Sequence, residues 1–340
     1  MTVAPPLPVE LVAAIAECAP PSSLATLAAA CRLFRVIAED YLYPRVVLDQ
    51  RNAEQGFFWC RTVIENHRLA RKVSSLVFNL LIIVEDDPDE MKKRLVEEMI
   101  QALRVCTKLT RLNVGLDFCV GIPSTLGEFL GPGCPLRLTH LHLGDWKHIT
   151  DLDAVWMQQV AITSLVIPGP LLSDEWNADS AVVNLPLKNI YAPLSAVIPA
   201  EVAAWKLEHA LLSITDEDEE LPSFLGLGSY ASTLTILAME SHSVSEPTIH
   251  QLLSLMADSL PNLTTLSYDE TVSLGNGARK EGAIQRPLAR FARLASFFLR
   301  IHVGLGSLVF FWAGGPTGKM SSFHAASRLG SPCSNWQCQS

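Results

Sequence analysis

The sequence predicts an α/β protein in which a short segment of three helices is followed by an irregular solenoid with a parallel sheet. Two patterns predict this class. Apolar residues recur at helical spacing within residues 7–44, and a short apolar motif recurs at intervals of 22–31 residues further along the chain. The 340 residues are 49% hydrophobic and 18% charged. That composition supports a large buried core and excludes an intrinsically disordered chain.

Three short helices are predicted within the first fifty residues. Pro8 fits the first turn of the first helix, where its missing N–H costs nothing. Ala19-Pro20-Pro21 ends that helix, and Ser22 or Ser23 is predicted to cap the second. The apolar positions that define the helices are Leu11, Val12, Ile15 and Ala16, then Leu24, Leu27, Ala28 and Cys31, then Phe34, Ile37, Ala38, Tyr41 and Leu42. A unit of about 40 residues rarely buries enough surface to fold alone, so we expect it to pack on the next domain, on a partner, or on both.

The order and spacing of these residues resemble the F-box family. The family pattern is Leu-Pro, a hydrophobic helix, a short break, a Leu-rich helix that ends in Cys-Arg-x-aromatic, then Ala-Glu-Asp and an aromatic residue near Leu. The matching positions are Leu7-Pro8, Leu11, Ile15, Leu24, Leu27, Cys31-Arg32, Phe34, Ala38-Glu39-Asp40 and Leu42-Tyr43. The sequence departs from the family at Ser23, where Asp is frequent, and at Phe34, where Trp is frequent. The alternative is a generic helical cap on a larger domain.

A motif of the form L-x-x-L-x-L, often degenerate, recurs along the rest of the chain. The copies are Leu109-Leu112-Val114, Leu138-Leu141-Leu143, Ile162-Leu165-Ile167, Leu187-Ile190-Ala192, His209-Leu212-Ile214, Leu234-Leu237-Met239, Leu263-Leu266-Tyr268 and Leu294-Phe297-Leu299, with an incomplete copy at Leu76-Phe78. The interval is close to the roughly 20–29 residues of leucine-rich repeats, and the array resembles the repeats found downstream of F-boxes. Repetition of strand, turn and helix gives a curved solenoid with a parallel sheet on its concave side.

The array departs from the leucine-rich-repeat family after each strand. The standard repeat places Asn or Cys three positions after the last apolar strand residue, where the side chain bonds neighbouring backbones. The equivalent positions hold Asp117, Trp146, Pro170, Ser195, His242 and Thr271. We therefore predict that this ladder is absent and that the turns are irregular. The alternative is an irregular α/β domain that is not a solenoid.

Helical segments are predicted between several of these strands. They begin at Asp87-Pro88 and near Leu152, Val202 and Ser245.

The open face of the predicted sheet is the candidate target-binding surface. Side chains alternate along a strand, so the residues that flank each buried middle position project onto this face. The candidate residues are Arg111, His140, His142 and Tyr191. Tyr191 and Arg111 are the expected anchors, because Tyr and Arg are enriched at binding hot spots. The mixed polar character suits a polypeptide read by hydrogen bonds and shape; the alternatives are a merely solvated face or a partner that uses the end loops.

The F-box resemblance implies that the protein is a substrate-recognition adaptor of a cullin–RING ubiquitin ligase. The F-box would bind a Skp-type linker, and the repeats would hold an unknown target protein. Apolar contacts to the linker would come from Leu7, Pro8, Leu11 and Ile15, with Leu24, Leu27 and Phe34 behind them. The predicted domains are 1–50, 51–300 and an atypical tail at 301–340 that we expect to be disordered. Two other functions stay open, a repeat scaffold without a ligase role and an enzyme with an unrecognised site.

Charge and cysteine usage narrow the partners and the compartment. The net charge of −9 disfavours nucleic acid and anionic membranes. The eight cysteines are scattered with no CxxC pair, which favours a reducing compartment, cytoplasmic or nuclear. The apolar run 301–315 is too short for a membrane-spanning helix. The acidic runs 85–90 and 216–220 are read as solvated loops, with docking of a basic partner as the alternative.

No catalytic, cofactor or metal motif is complete in the sequence. The segment Ala313 to Met320 resembles a phosphate-binding loop, but Met320 stands where Ser or Thr must follow Lys319. Cys333 and Cys338 have no second ligand pair for zinc. We therefore predict no enzyme activity, no cofactor and no metal.

Overall fold

The computed structural model describes residues 7–48, 53–79, 88–115, 127, 129–144, 152–167, 180–197, 200–214, 226–241, 249–272, 288–303, 306–313 and 319–325. The chain divides into two compact units. The first contains Met1–Ile167, Leu172–Glu175 and Asp179–Pro186, and the second contains Pro168–Leu171, Trp176–Ala178 and Leu187–Ser340.

The first unit combines the three predicted N-terminal helices with a parallel sheet. Its helices are α1 (Val9–Cys18), α2 (Pro21–Ala30), α3 (Arg32–Leu42), α4 (Ala53–Glu65), α5 (His67–Ala70), α6 (Pro88–Val105) and α7 (Leu152–Gln158). Its strands are β1 (Arg45–Leu48), β2 (Ser75–Phe78), β3 (Arg111–Val114), β4 (His140–Leu143) and β5 (Ser164–Val166). Each strand pairs in parallel with the next strand along the chain.

The second unit continues the same strand pattern. Its strands are β6 (Asn189–Pro193), β7 (His209–Ile214), β8 (Ile236–Ser241), β9 (Thr265–Val272), β10 (Ser296–Val303), β11 (Gly306–Ala313) and β12 (Lys319–Ala325), and helix α8 (Ile249–Ser259) precedes β9. Strands β6 to β10 are parallel, and β11 and β12 are antiparallel. Ten parallel strands, five in each unit, thus confirm the predicted α/β class.

The predicted middle positions form the buried side of the strands. They are at most 3% exposed, and they are Leu112, Leu141, Leu165, Ile190, Leu237, Leu266 and Phe297. The first position of each copy, in the turn before the strand, is buried as well, as at Leu109, Leu138 and Leu263. Most of the strands are short, so backbone pairing alone stabilises them little. Burial of two or three large side chains in each repeat is the main contribution to the stability of the fold.

The predicted register of β7 is wrong by two residues. Ala210, not Leu212, pairs with Ile190 and lies opposite Leu237. The copy is therefore Leu207-Ala210-Leu212, and Leu207 and Leu212 are both buried completely. An alanine at the middle position removed the leucine signal that marks the other strands.

Strand β1 was not predicted, because its residues were assigned to the end of the helical segment. Residues Arg45–Leu48, which include two β-branched valines, instead pair in parallel with Ser75–Phe78. Val46 and Leu48 are buried, while Val47 faces solvent. The sheet therefore begins directly after α3, within the first unit.

A ladder of Ser and Thr hydroxyls links the starts of neighbouring strands. The carbonyl oxygen of Thr110 accepts hydrogen bonds from the N–H groups of Thr139 and His140, and from the Thr139 hydroxyl at 3.2 Å. The same three-bond pattern holds at the carbonyls of Pro44, Ser74, Thr139, Glu208 and Thr235. The side chains at the six positions of the expected Asn ladder are not among those the structure describes. The observed ladder lies at the opposite ends of the strands.

Two local predictions of helix structure are wrong. Helix α2 begins at Pro21 without a side-chain cap, because the fixed φ of proline already suits the first turn. Residues 203–207 form no helix, and the Lys206 N–H instead donates to the carbonyl of Leu187, two residues before β6.

Part of the region predicted as a disordered tail forms strands, at residues 301–303, 306–313 and 319–325. Strand β10 extends to Val303, and β11 and β12 add two antiparallel strands. The β-branched and aromatic run Val309–Trp312 favours this conformation. Residues 326–340 and the acidic run 216–220 lie outside the described residues. In the part of the chain that is described, no helix has the length and apolar character needed to cross a bilayer.

We expect Leu141→Ala to lower the free energy of unfolding by about 2–5 kcal/mol, because it removes a buried side chain and leaves a cavity. Leu141 is 1% exposed. Chemical denaturation measures the change. Met157→Ala, at a position that is 65% exposed, is the matched control and should cost less than about 0.5 kcal/mol. Equal costs for the two variants would contradict the assigned core.

Candidate partner-binding surfaces

Helix α1 carries apolar side chains on two faces. Val12 and Ala16, one turn apart, are buried. Ala16 packs with Leu24 of α2 and Ala38 of α3 in a small core. Leu11 and Ile15, also one turn apart, lie on the other face and are 52% and 53% exposed. The helix therefore uses one apolar stripe for folding and leaves a second one in water.

The exposed stripe continues into the residues before the helix. Leu7 is 54% exposed, and Pro8 is exposed too. We call Leu7, Pro8, Leu11 and Ile15 the N-terminal apolar surface. Contiguous exposed apolar residues of this kind mark interaction sites more often than free surface. All four are residues that the sequence assigned to a partner contact.

The other three predicted contact residues lie deeper. Leu24 is 4% exposed and belongs to the small core, and Leu27 packs against that core. Phe34 is half-buried. Leu24 and Leu27 thus contribute to the packing of the three helices, and their role behind a partner contact stays a prediction. Helix α3 adds two exposed apolar side chains that the sequence did not single out, Leu33 and Val36. Tyr41, which the sequence assigned to the apolar positions of this helix, is exposed as well.

Two ion pairs fasten α3 to the segment that leads into β2. Glu39 is buried, and its carboxylate accepts a hydrogen bond from the Arg68 guanidinium at 2.6 Å. That hydrogen bond raises the pKa of Arg68. Asp40 pairs in the same way with Lys72. Glu39 and Asp40, two adjacent residues of the F-box pattern, thus connect α3 to α5 and to the turn that leads into β2.

The sequence did not reveal these pairs, because the partners are 29 and 32 residues apart. Burial of Tyr43 and the nearby Glu39 carboxylate raise the pKa of the Tyr43 hydroxyl. A buried carboxylate needs its cationic partner to be tolerated.

A match to a protein-family model identifies the segment that contains the three N-terminal helices. Residues 5–49 match the F-box-like domain model. The match covers α1 to α3 and strand β1, and it supports an F-box protein. No curated protein sequence matches the chain. The F-box-like domain therefore carries the N-terminal apolar surface, and its last residues start the parallel sheet.

A second candidate surface lies on the open face of the sheet in the first unit. Arg111 and Asn113 of β3 are directly paired in register with His140 and His142 of β4. All four are half-buried, and the buried leucines between them point the other way. We call these four residues the β3–β4 face. The structure thus brings together three of the four predicted target-binding residues.

Both histidines of this face have lowered pKa values. Burial lowers the pKa of His142 to about 4, and burial together with the nearby Arg111 charge lowers the pKa of His140. The ring Nδ1 of His140 lies 2.8 Å from the Thr139 hydroxyl, which is also within 3.2 Å of the Thr110 carbonyl. Nδ1 is therefore engaged within the protein.

The fourth predicted residue, Tyr191, lies on β6 in the second unit. It is half-buried, and its hydroxyl donates to the Glu240 carboxylate of β8 at 3.4 Å. Its open face is that of the second unit, so Tyr191 is not part of the β3–β4 face. In the described residues, no group of three His, Cys, Asp or Glu side chains is placed to hold a metal ion.

We expect Arg68→Ala to lower the free energy of unfolding by about 1–3 kcal/mol, because it leaves the buried Glu39 carboxylate without its partner. Lys72→Ala is the matched control. Its partner Asp40 is 60% exposed, and exposed pairs contribute less than about 1 kcal/mol. Thermal or urea denaturation of both variants measures the difference. An equal loss in the two variants would show that Glu39 does not depend on Arg68.

We expect acidification from pH 6.5 to pH 4 to destabilise the protein through His142. The unfolded chain binds this proton near pH 6.5, and the folded protein binds it only near pH 4. The unfolded state therefore holds more protons in that window, and stability falls as the pH falls, by at most about 3 kcal/mol. The charged and titratable groups beside His142 on this face are Arg111 and His140.

The comparison variant for this test is His142→Gln, which cannot take up the proton. Urea denaturation at several pH values should give a smaller loss of stability between pH 6.5 and pH 4 for the variant than for the wild type. Identical pH profiles would contradict a buried, neutral His142.

Proposed function

We propose that the protein is a substrate-recognition adaptor of a cullin–RING ubiquitin ligase. Its F-box-like domain binds a Skp-type linker, and its sheet region holds a target protein. The observation that carries the proposal is the N-terminal apolar surface, since Leu7, Leu11 and Ile15 stay exposed on the domain whose sequence matches the F-box-like model. The ligase chemistry belongs to other subunits, and the contribution of this chain is proximity between target and enzyme.

The sheet region is proposed to be a leucine-rich-repeat solenoid. The regular hydroxyl ladder and the recurring buried middle positions support this, because they give each repeat the same backbone link to the one before it. We infer that the open face of the sheet, with Arg111, His140, His142 and Tyr191, contacts the target. Half-buried polar side chains on adjacent strands support hydrogen-bonded recognition of a polypeptide.

A cytoplasmic or nuclear location fits this role. Cys60, Cys106 and Cys134 are buried free thiols, and burial raises the pKa of Cys60 and Cys106 to about 12. Unreactive buried thiols of this kind are usual in proteins of reducing compartments.

A second candidate function is an interaction scaffold without a ligase role. The observation in its favour is the pair of ion pairs between α3 and Arg68 and Lys72. These two ion pairs connect α3 to the residues that lead into β2. An N-terminal cap of a repeat array needs such a connection to the first repeat. The two functions differ in whether the N-terminal apolar surface has a partner.

We expect Leu7→Asp together with Leu11→Asp to weaken binding of a Skp-type linker by about 100-fold or more, because both side chains would bury charge in the interface. Co-purification and titration calorimetry with the linker measure this. Both positions are exposed, so the fold should be unchanged in circular dichroism and thermal unfolding.

The matched control is Met157→Asp together with Val160→Asp, two exposed apolar positions in the same unit. It should bind the linker as the wild type does. Full binding by the Leu7 and Leu11 double variant, or no binding by the wild type, would reject the adaptor function in favour of the scaffold.

A further inference from the structure

The first strand of the sheet, β1, has one backbone edge that no other strand pairs with in the described part of the chain. The carbonyl oxygens of Pro44 and Leu48 accept backbone N–H groups at 2.9 Å from β2 and the residue after it. Peptide groups of alternate residues in a strand point to opposite sides, so the N–H and C=O groups of Arg45 and Val47 point away from β2. Four backbone hydrogen-bonding groups therefore line this edge.

The side chains on the same edge strand are accessible to a partner. Val47 is 59% exposed and Arg45 is exposed, whereas Val46 and Leu48 are buried on the inner side. Among the described residues, Arg45 has no acidic partner. The edge thus presents reachable backbone groups, one apolar side chain and one cation without a counter-ion.

Strand β1 carries little of the protection that edge strands usually have. Natural proteins protect such edges with proline, bulges, charged side chains or a covering element. The strand Arg45–Leu48 contains no proline, its register with β2 continues over all four residues without a bulge, and three of the four side chains are apolar. Only its short length and Arg45 oppose pairing. An exposed, mainly apolar edge is a template for another strand.

The chemistry of this edge identifies the occupant as an extended polypeptide. Its donors and acceptors recur every second residue, at about 7 Å, and the backbone of an extended segment offers complementary groups at the same spacing. The interior N–H groups of a helix are used within that helix. Arg45 adds a charge requirement, because a directly opposite Asp or Glu stabilises a strand pair. A second copy of β1 offers no carboxylate for Arg45, so self-pairing fits this requirement less well.

We propose that the open edge of β1 binds an extended segment of the target protein as an added strand. An Asp or Glu of this segment pairs with Arg45, and an apolar residue two positions away packs against Val47. The proposal deepens the proposed function and rests on it, since it names the segment of the target that the adaptor holds. The added strand extends the sheet of the first unit by one position.

The first test is amide hydrogen exchange of the full chain with and without a peptide. The probe is a pool of fluorescent ten-residue peptides with Glu at one central position and Val two positions later, the other positions being random uncharged residues other than proline. In the complex, the amides of Arg45 and Val47 should exchange about tenfold more slowly or less, whereas those of Val46 and Leu48, already bonded to β2, should change little. Unchanged exchange throughout β1, or equal slowing of all four amides, would overturn the proposal.

Val47→Pro tests the backbone contact on the protein side. It removes one N–H that points away from β2, and proline is tolerated on an edge strand when its nitrogen faces outward. Fluorescence polarisation should show binding of the Glu pool weakened about tenfold, at an unchanged midpoint of thermal unfolding. Val47→Thr keeps the N–H and the β-branched shape, and as the matched control it should bind within about threefold of the wild type. Equal binding by the two variants contradicts strand addition.

A change in the peptide covers the case in which Val47→Pro does not fold. N-methylation of alternate peptide amides removes donors from one edge of the added strand and leaves every side chain in place. One alternate set should weaken binding about tenfold and the other set should have little effect. Equal effects of the two sets would show that the peptide does not bind as a strand.

Arg45→Glu tests the charge preference. The wild type should bind Glu pools about tenfold tighter than otherwise identical Lys pools, and the variant should prefer Lys. Lys108→Glu, an exposed position in the same unit, is the charge-matched control and should keep the preference for Glu. Equal binding of Glu and Lys pools by the wild type, or no binding of either, would refute the contact with Arg45.

Linker binding and sedimentation of each variant separate the other occupants. Loss of linker binding in Val47→Pro would identify the linker as the occupant, and conversion of a dimer into a monomer would identify a second copy. Either result overturns the assignment to the target. Failure of the peptide tests with intact linker binding concerns this inference alone, whereas absent linker binding with intact peptide binding concerns the proposed function alone.

Discussion

The structure depends on one recurring hydrogen-bond arrangement, the backbone carbonyl that precedes each strand. At the rungs of the ladder this oxygen accepts two N–H groups and one Ser or Thr hydroxyl from the next strand. The arrangement sets the spacing and register between the strands that it joins. In that register alternate residues point inward, and the side chains at the middle positions are buried. Short strands can therefore form a large sheet.

The F-box-like domain is attached to this arrangement at its first rung. Pro44, directly after α3, supplies the carbonyl that accepts the N–H groups of Ser74 and Ser75 and the Ser74 hydroxyl. The Glu39–Arg68 pair fixes the same helix from its other side. Two different interactions thus hold α3 on the sheet. The small core that α3 shares with α1 then positions the N-terminal apolar surface relative to the strands of the first unit.

Patterns within one segment predicted most of the fold, and contacts between distant segments could not be predicted. The middle leucines, from Leu112 to Leu266, gave the strands because burial of every second residue leaves a visible trace in the sequence. Ala210 left no such trace, and the register of β7 was wrong there. Glu39 and Arg68 are common charged residues far apart in the sequence, and only the folded chain brings their side chains together. The ladder does have a sequence signal, because a Ser or Thr stands one residue before each of several strands, at Ser74, Thr110, Thr139 and Thr163. The prediction concerned Asn at the other ends of the strands and therefore missed this signal.

Different residues along each strand determine the core, the register and the open face. Leu112 and Leu141 carry the core, and the backbone ladder carries the register, so the side chains at Arg111, Asn113 and His142 contribute little to either. Residues on the open face are therefore open to selection by a ligand.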